Sequence, residues 1–333
     1  MPTIFRRPFT PAINTTPESI AVLESVVLGG LLQWITIRSH DRRNPLLLFL
    51  PGGPGAAELG SLRKALPRLE QYFTVVSWAP RGSAKTDPDR IDPASFTVER
   101  ILEDAHELIA LLLQRFGQQR LFLAGHSVGT IPGMLLAQRY PHLLHAYVGC
   151  NQVIDRAAEE WRTHDFVLRA ARASGNQKAL KAVEPLGYPV RGVYRTVDDT
   201  VTQRRWATEF GGVSHDPGKA LKWHIANYLV PEYSIAEFTK IFKGLNISMK
   251  HLWSQYGSLN FREQVPAVGA PIYLVMGRHD KITYYDLAEE FLSMVEAPHK
   301  ELLILENAAH IGFFEEPERF QDLLINKVLP AHR

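Results

Sequence analysis

Short apolar runs recur along the first 150 positions, and the segments between them switch from a two-residue to a three-to-four-residue period. IAVLESVVL at 20–28 and LLQWITIR at 31–38 are β-prone runs joined by Gly29-Gly30, which predicts a hairpin with a tight turn. LLLFL at 46–50 is apolar throughout and runs into Pro51-Gly52-Gly53-Pro54-Gly55, the pattern of a buried strand that delivers a loop. A helical stretch is predicted near 56–70 and another buried strand at 72–78. Between 97 and 116, Ile101, Ala105, Leu108, Ile109, Leu112, Leu113 and Phe116 share one helical face. A strand at 121–124, a helix at 129–139 and a strand at 145–151 follow. Strands apolar on both faces, alternating with helices, predict a parallel sheet covered on both sides.

The rhythm breaks at 152 and resumes at 266. From 152 to 265 helical segments dominate, rich in aromatic residues such as Trp161, Phe166, Trp206, Trp223, Tyr228, Trp253 and Tyr256. PIYLVM at 271–276 then predicts a strand, 284–295 a helix, 300–305 a strand and 315–328 a last helix. The expected organisation is one core formed by 1–151 and 266–333, with 152–265 inserted as a helical cap.

Composition narrows the function classes. With 333 residues the chain is long enough for a full core plus an insertion. The formal net charge is +2 and the paired arginines, Arg42-Arg43 and Arg204-Arg205 among them, are scattered, so no nucleic-acid face is expected. Cys150 is the only cysteine, which leaves no internal disulfide and no cysteine-based metal site. No signal-peptide-like apolar stretch opens the chain, and no run is long enough to span a membrane. The expected setting is the cytoplasm, without membrane or nucleic-acid partners.

The candidate chemistry lies on turns that follow strands. Gly125-His126-Ser127-Val128-Gly129 sits between the strand LFLA and the helix TIPGMLLAQRY, which is G-x-S-x-G in a strand–turn–helix setting. There a serine hydroxyl projects from a strained turn, and a side chain at either glycine would strike the neighbouring strand or helix. A serine needs a base and an acid. Asp280, in Met-Gly-Arg-His-Asp, and His310, in Glu-Asn-Ala-Ala-His, each follow a predicted strand in the order Ser, Asp, His. His310 is the expected base and Asp280 the acid that orients it. In the loop 51–55 the Gly53 N–H is expected to join the Val128 N–H as an oxyanion donor. Of the other histidines, His126 is expected to pack beneath the elbow and His279 to point away from the acid; the rest read as structural or exposed. No metal or organic cofactor is required by this chemistry.

These residues resemble the proline iminopeptidase-like branch of the α/β-hydrolase superfamily. The resemblance rests on PGGPG at 51–55, SWAPRGSAKT at 77–86, GHSVG at 125–129, GRHD at 277–280 and ENAAHIGFFEEPERF at 306–320. It implies an α/β-hydrolase fold with an inserted helical cap, a triad of Ser127, Asp280 and His310, and oxyanion donors at Gly53 and Val128. The sequence departs from the family pattern at Pro51, Ala79-Pro80, Ala84 and Val128, while Arg81-Gly82 is retained. Those departures remove polar side chains from the loops that frame an acyl pocket, so a more apolar pocket is expected. An iminopeptidase also needs cap carboxylates to hold a free amino group. Glu159, Glu160, Glu209, Glu232 and Glu237 are available, but no spacing selects among them, and solvated helix faces are their simpler reading.

The activity expected is hydrolysis of an ester or amide in a small molecule or short peptide, with an aminopeptidase implied by the resemblance. The altered loops favour, as an alternative, a carboxylesterase, lactonase or natural-product hydrolase acting on an apolar or aromatic substrate. A ligand-binding receptor on the same fold is the alternative of another class; the intact Ser–His–Asp set argues against it.

Overall fold

The computed structural model describes residues 7–83, 85–86 and 88–332, without the side chains of His224, Ala226 and Tyr228. Ala84, and the Tyr228 side chain named above, therefore lie outside the described residues. The strands are β1 (Ile20–Leu28), β2 (Leu31–Ser39), β3 (Leu46–Leu50), β4 (Thr74–Ala79), β5 (Leu121–His126), β6 (Leu144–Cys150), β7 (Ile272–Gly277) and β8 (Lys300–Leu305). They form one sheet in the order β1-β2-β4-β3-β5-β6-β7-β8. The hairpin β1–β2 and the β2–β4 pair are antiparallel, and every other pair is parallel.

The apolar strands explain the layering. Side chains alternate across a strand, so in β3 Leu46, Leu48 and Leu50 enter the core on one face, while Leu47 and Phe49 enter the core on the other. The first core takes the inner stripe of the helix Val98–Phe116, including Leu102, Leu108, Ile109 and Leu112. That helix starts where the Thr97 side chain accepts from the Arg100 N–H and stops at Gly117, which is left-handed. The second core is closed by Phe313, Phe320, Leu324 and Val328 from the C-terminal helices.

One stretch expected as a single helix is broken, and another starts slightly later than expected. The region 56–70 divides into Leu59–Ala65 and Leu69–Tyr72 around Pro67, whereas the C-terminal helical run begins at Pro317 and continues, through one π turn, to His332. Proline lacks an N–H for the preceding turn but suits a first helical position. Between β6 and β7 the regular elements are helices, the longest being Arg156–Ala173, Val197–Glu209 and Ile241–Tyr256. None of the described helices is long and apolar enough to cross a membrane.

Candidate active site

β5 ends at His126, and Ser127 begins a single tight turn that leads into the helix Thr130–Arg139. Ser127 has φ 51°, a region that costs a side-chain-bearing residue on the order of 1–3 kcal/mol. The flanking glycines make that turn possible. A Cβ on Gly129 would lie 2.4 Å from the carbonyl oxygens of Leu50 and Pro51, and one on Gly125 would lie 2.8 Å from the Gly129 oxygen. The neighbours in contact are backbone and cannot swing aside. The Thr130 hydroxyl donates to the Ser127 carbonyl at 2.5 Å and ties the turn to the helix. Val128 stands at the start of this helical segment, where backbone N–H groups have no intrahelical acceptor.

Asp280 lies three residues past the end of β7 and His310 five past the end of β8. Both loops leave the same end of the sheet as Ser127 because the strands are parallel. Ser127 Oγ is 2.7 Å from His310 Nε2, and His310 Nδ1 is 2.9 Å from Asp280 Oδ2. Asp280 is buried but well supplied with donors. Its Oδ1 accepts from the N–H groups of Ile282 (2.7 Å) and Thr283 (3.1 Å). Its Oδ2 accepts from the Thr283 hydroxyl (2.6 Å) and from Asn151 Nδ2 (2.7 Å), as well as facing His310. Burial alone would raise the Asp280 pKa, yet the charge and hydrogen bond of His310 and the further donors carry it below the ordinary value. Burial pushes His310 below its ordinary value against the pull of Asp280. The resting pair is therefore carboxylate and neutral imidazole. Nδ1–H donates to the acid, and the Nε2 lone pair faces the serine hydroxyl.

Asn151 is a site residue that the sequence reading passed over as the end of a strand. Its amide donates to both Asp280 Oδ2 and the Ala309 carbonyl (3.0 Å), and its oxygen accepts from Gly312 N–H at 3.3 Å. It thus clamps the acid to the loop that carries the base. Its one available signal was position, at the same end of a parallel strand as the serine, the acid and the histidine. His126 packs beneath the elbow as expected, and His279 stacks on His215 with ring centres 4.0 Å apart, away from the acid.

The glycine loop lies beside the elbow. Gly52 is buried, and Gly53 is at the exposed crest with φ 148°. Pro51, Trp78, Pro80, Val128, Leu252 and Tyr256 line a small recess next to it. Two of the altered loop positions, Pro51 and Pro80, thus face apolar surroundings. Arg81 also borders the recess and grips Asp104 through Nε (3.0 Å) and Nη2 (3.3 Å), while its N–H donates to Gln33 Oε1 at 3.1 Å. Among the described residues no cluster of three His, Cys, Asp or Glu is arranged to hold a metal ion.

The helical insertion rests directly on the two loops. The His310 N–H donates to the Val213 carbonyl at 2.9 Å, and the Lys281 N–H to the Gly212 carbonyl at 3.0 Å. From the other side the Thr163 hydroxyl donates to the Lys281 carbonyl at 2.6 Å. The expectation of solvated glutamates fails here for three of the five. Glu159, Glu160 and Glu232 have no exposed surface. Glu159 accepts from Ile154 N–H (2.8 Å) and pairs with Arg156, and Glu160 pairs with Arg156 and Arg204. Glu232 is bound by Arg63 (3.0 Å) and Thr10 (3.0 Å) from the core. Glu237 is half-buried and pairs at 2.8 Å with the buried Lys85, and Glu209 alone is exposed. The reason is pairing with guanidinium groups, from the neighbouring Arg156 for Glu159 and Glu160 and from the distant Arg204 and Arg63 for Glu160 and Glu232.

The family model described as serine aminopeptidase, S33, matches residues 68–317. The chain is 31% identical to the Bacillus subtilis (strain 168) protein named Probable aminopeptidase YbaC, over 92% of this chain and 96% of that one. It is 22% identical to a 2-hydroxy-6-oxo-6-(2'-aminophenyl)hexa-2,4-dienoic acid hydrolase of Metapseudomonas resinovorans, over 94% of this chain and 93% of that one. A solved structure of proline iminopeptidase from Mycobacterium smegmatis superimposes with a TM-score of 0.67 at 18% identity, covering 93% of this chain and 98% of that one.

Proposed function

The chain belongs to the serine aminopeptidase S33 family and has the α/β-hydrolase fold, and from that premise we propose that it is a serine hydrolase acting through Ser127, His310 and Asp280. The observation that carries this reading is the unbroken hydrogen-bond chain from Asp280 through His310 to Ser127, with a strained serine at its end. In this mechanism Ser127 Oγ attacks an ester or amide carbonyl as its proton passes to His310 Nε2. The developing oxyanion is held by the N–H groups of Val128 and Gly53. His310 Nε2–H then gives its proton to the leaving alcohol or amine, and an acyl-enzyme forms. His310 next takes a proton from water, which attacks the acyl carbon. The acid leaves, and the proton returns to Ser127. Asp280 stays ionised throughout, holds the Nδ1–H tautomer and stabilises the imidazolium. The insertion 152–265 lies against the loops that carry Asp280 and His310.

Within this chemistry the first reading is an aminopeptidase of the iminopeptidase type. A second reading, an ester or lactone hydrolase for an apolar acyl group, is favoured by the state of the insertion's carboxylates. A free substrate amine needs unspent carboxylate oxygens; both oxygens of Glu159, Glu232 and Glu237 are engaged, and of the four residues Glu160 alone keeps one, Oε2, without a hydrogen-bond partner.

Steady-state hydrolysis of proline and alanine arylamides, short and medium aryl esters and one aromatic lactone tests both readings. Ser127→Ala is expected to lower kcat on the order of 10⁶-fold. Arylamide turnover that the variant loses selects the aminopeptidase; ester or lactone turnover alone selects the second reading. Failure of the wild type to take a fluorophosphonate label would replace hydrolysis with ligand binding.

A further inference from the structure

The residue before Ser127 makes a second His–carboxylate contact that the mechanism above does not use. His126 is buried, and both ring nitrogens are engaged: Nδ1 lies 2.8 Å from Glu58 Oε1 and Nε2 lies 2.9 Å from the His310 carbonyl oxygen. A carbonyl oxygen accepts only, so Nε2 carries a proton. The Nδ1 contact then holds one further proton between imidazole and carboxylate. Burial opposes a charged ring, but the charge and hydrogen bond of Glu58 and the His310 carbonyl outweigh it and raise the His126 pKa. The resulting state is an imidazolium with both N–H groups donating.

Three loops meet at this ring. Glu58 immediately precedes the helix Leu59–Ala65 and follows the glycine loop by three residues. A Cβ on Gly52 would lie 2.9 Å from His126 Nδ1, so the glycine loop lies directly on the ring. The bond to the His310 carbonyl brings in the base loop, and Ser127 is the next residue in the chain. The pair is not a cheap structural filler. Glu58 Oε2 is buried with no donor, and a buried ion pair generally stabilises a fold no better than well-packed apolar residues. What the pair supplies is relative placement.

We propose that His126 and Glu58 form a positioning pair that holds the oxyanion loop, the nucleophile elbow and the base loop at the spacing acyl transfer needs, and so governs turnover rather than substrate affinity. This rests on the reading of Ser127 as nucleophile. The pair also bears on the base electrically. The rings of His126 and His310 are 5.4 Å apart, and after burial and the opposing pull of Asp280, the His126 charge is among the causes that keep His310 unprotonated. The other titratable groups facing the pair are Asp280 from the acid loop and Cys150 at the end of β6.

The experiment measures fluorophosphonate labelling rate and p-nitrophenyl acetate kinetics for the wild type, Glu58→Ala and Glu58→Gln. Glu58→Ala is expected to slow labelling and lower kcat on the order of 100-fold with KM within about twofold, since a small misplacement at the reacting centre costs that much. Glu58→Gln keeps a hydrogen-bonding amide and should recover most of kcat. Its acid limb in kcat/KM should move to higher pH by about half a unit, because an uncharged His126 no longer opposes protonation of His310. Equal labelling by Glu58→Ala and the wild type overturns the proposal. So does a Glu58→Gln acid limb that coincides with the wild type, and that limb alone decides if Glu58→Ala fails to fold. A wild type that takes no label at all, with either variant, takes down the Ser127 reading and this one together.

Discussion

Asp280, in the loop after β7, and Glu159, in the helical insertion, are both carboxylates shut away from solvent. Their surroundings drive them in opposite directions. Asp280 receives donors from Ile282, Thr283 and Asn151 in addition to His310, and stays charged. Glu159 receives one backbone N–H and shares Arg156 with Glu160, and burial pushes its pKa up to about 8 despite the nearby guanidinium. Burial is common to both; the number and exclusiveness of donors differ. The Asp280 loop supplies enough donors to hold a buried charge, whereas Glu159 and Glu160 divide one guanidinium between them.

The largest test of this contrast is Asp280→Asn. It preserves size but offers His310 the wrong hydrogen-bond partner, and kcat is expected to fall on the order of 10⁴-fold in steady-state assays. A drop of less than tenfold would mean that the donor-rich loop serves stability alone. Next in size is Asn151→Ala, which removes donors from Asp280 Oδ2 and the Ala309 carbonyl. Losing a hydrogen bond to a charged group should cost about 2 kcal/mol in urea unfolding. It should also lower kcat, because the acid and base loops lose their clamp.

The smaller tests concern protons. Glu159 binds a proton in the folded chain up to about pH 8 but only up to about its ordinary value of 4.5 when unfolded. The unfolded state therefore holds fewer protons between these values, and stability falls as pH rises through that window. Glu159→Gln removes the titration. Its thermal midpoint relative to the wild type should be a few degrees higher at pH 9 than at pH 5. A parallel offset at both pH values would return Glu159 to the charged class of Asp280. The smallest expected effect is the acid limb of kcat/KM. His310 is held below its ordinary 6.5, so activity should persist below pH 6.5 and fall at the lower pKa of the base.

The same contrast separates what the chain reveals from what it conceals. β3, β5 and β7 are legible because an apolar run bounded by turn residues has few other uses. Ser127, Asp280 and His310 are legible because each follows such a run, and the structure places them within hydrogen-bonding reach. Glu232 looks like a surface residue until Arg63, 169 positions away, is found beside it. Glu58 and His126, 68 positions apart, present the same difficulty. Periodicity reports which face of an element is apolar, and says nothing about which distant cation arrives to neutralise a buried acid. Asn151 escaped because it reads as the last residue of the strand 145–151, although its amide here bridges two loops. The helix broken around Pro67 shows the same limit at short range, since the expected helix ran across a residue that backbone geometry would not carry.

The contacts of Lys281 and His310 with the Gly212 and Val213 carbonyls have one more consequence. These two amide hydrogens exchange with solvent when the Gly212–Val213 segment parts from the two loops, so they are clocks wired into the molecule. Isotope exchange read at those two sites would time that separation directly, with no substrate present and no label attached. Compared with the rate of product formation, that clock would tell whether this separation or the bond-making step sets the pace of the proposed cycle.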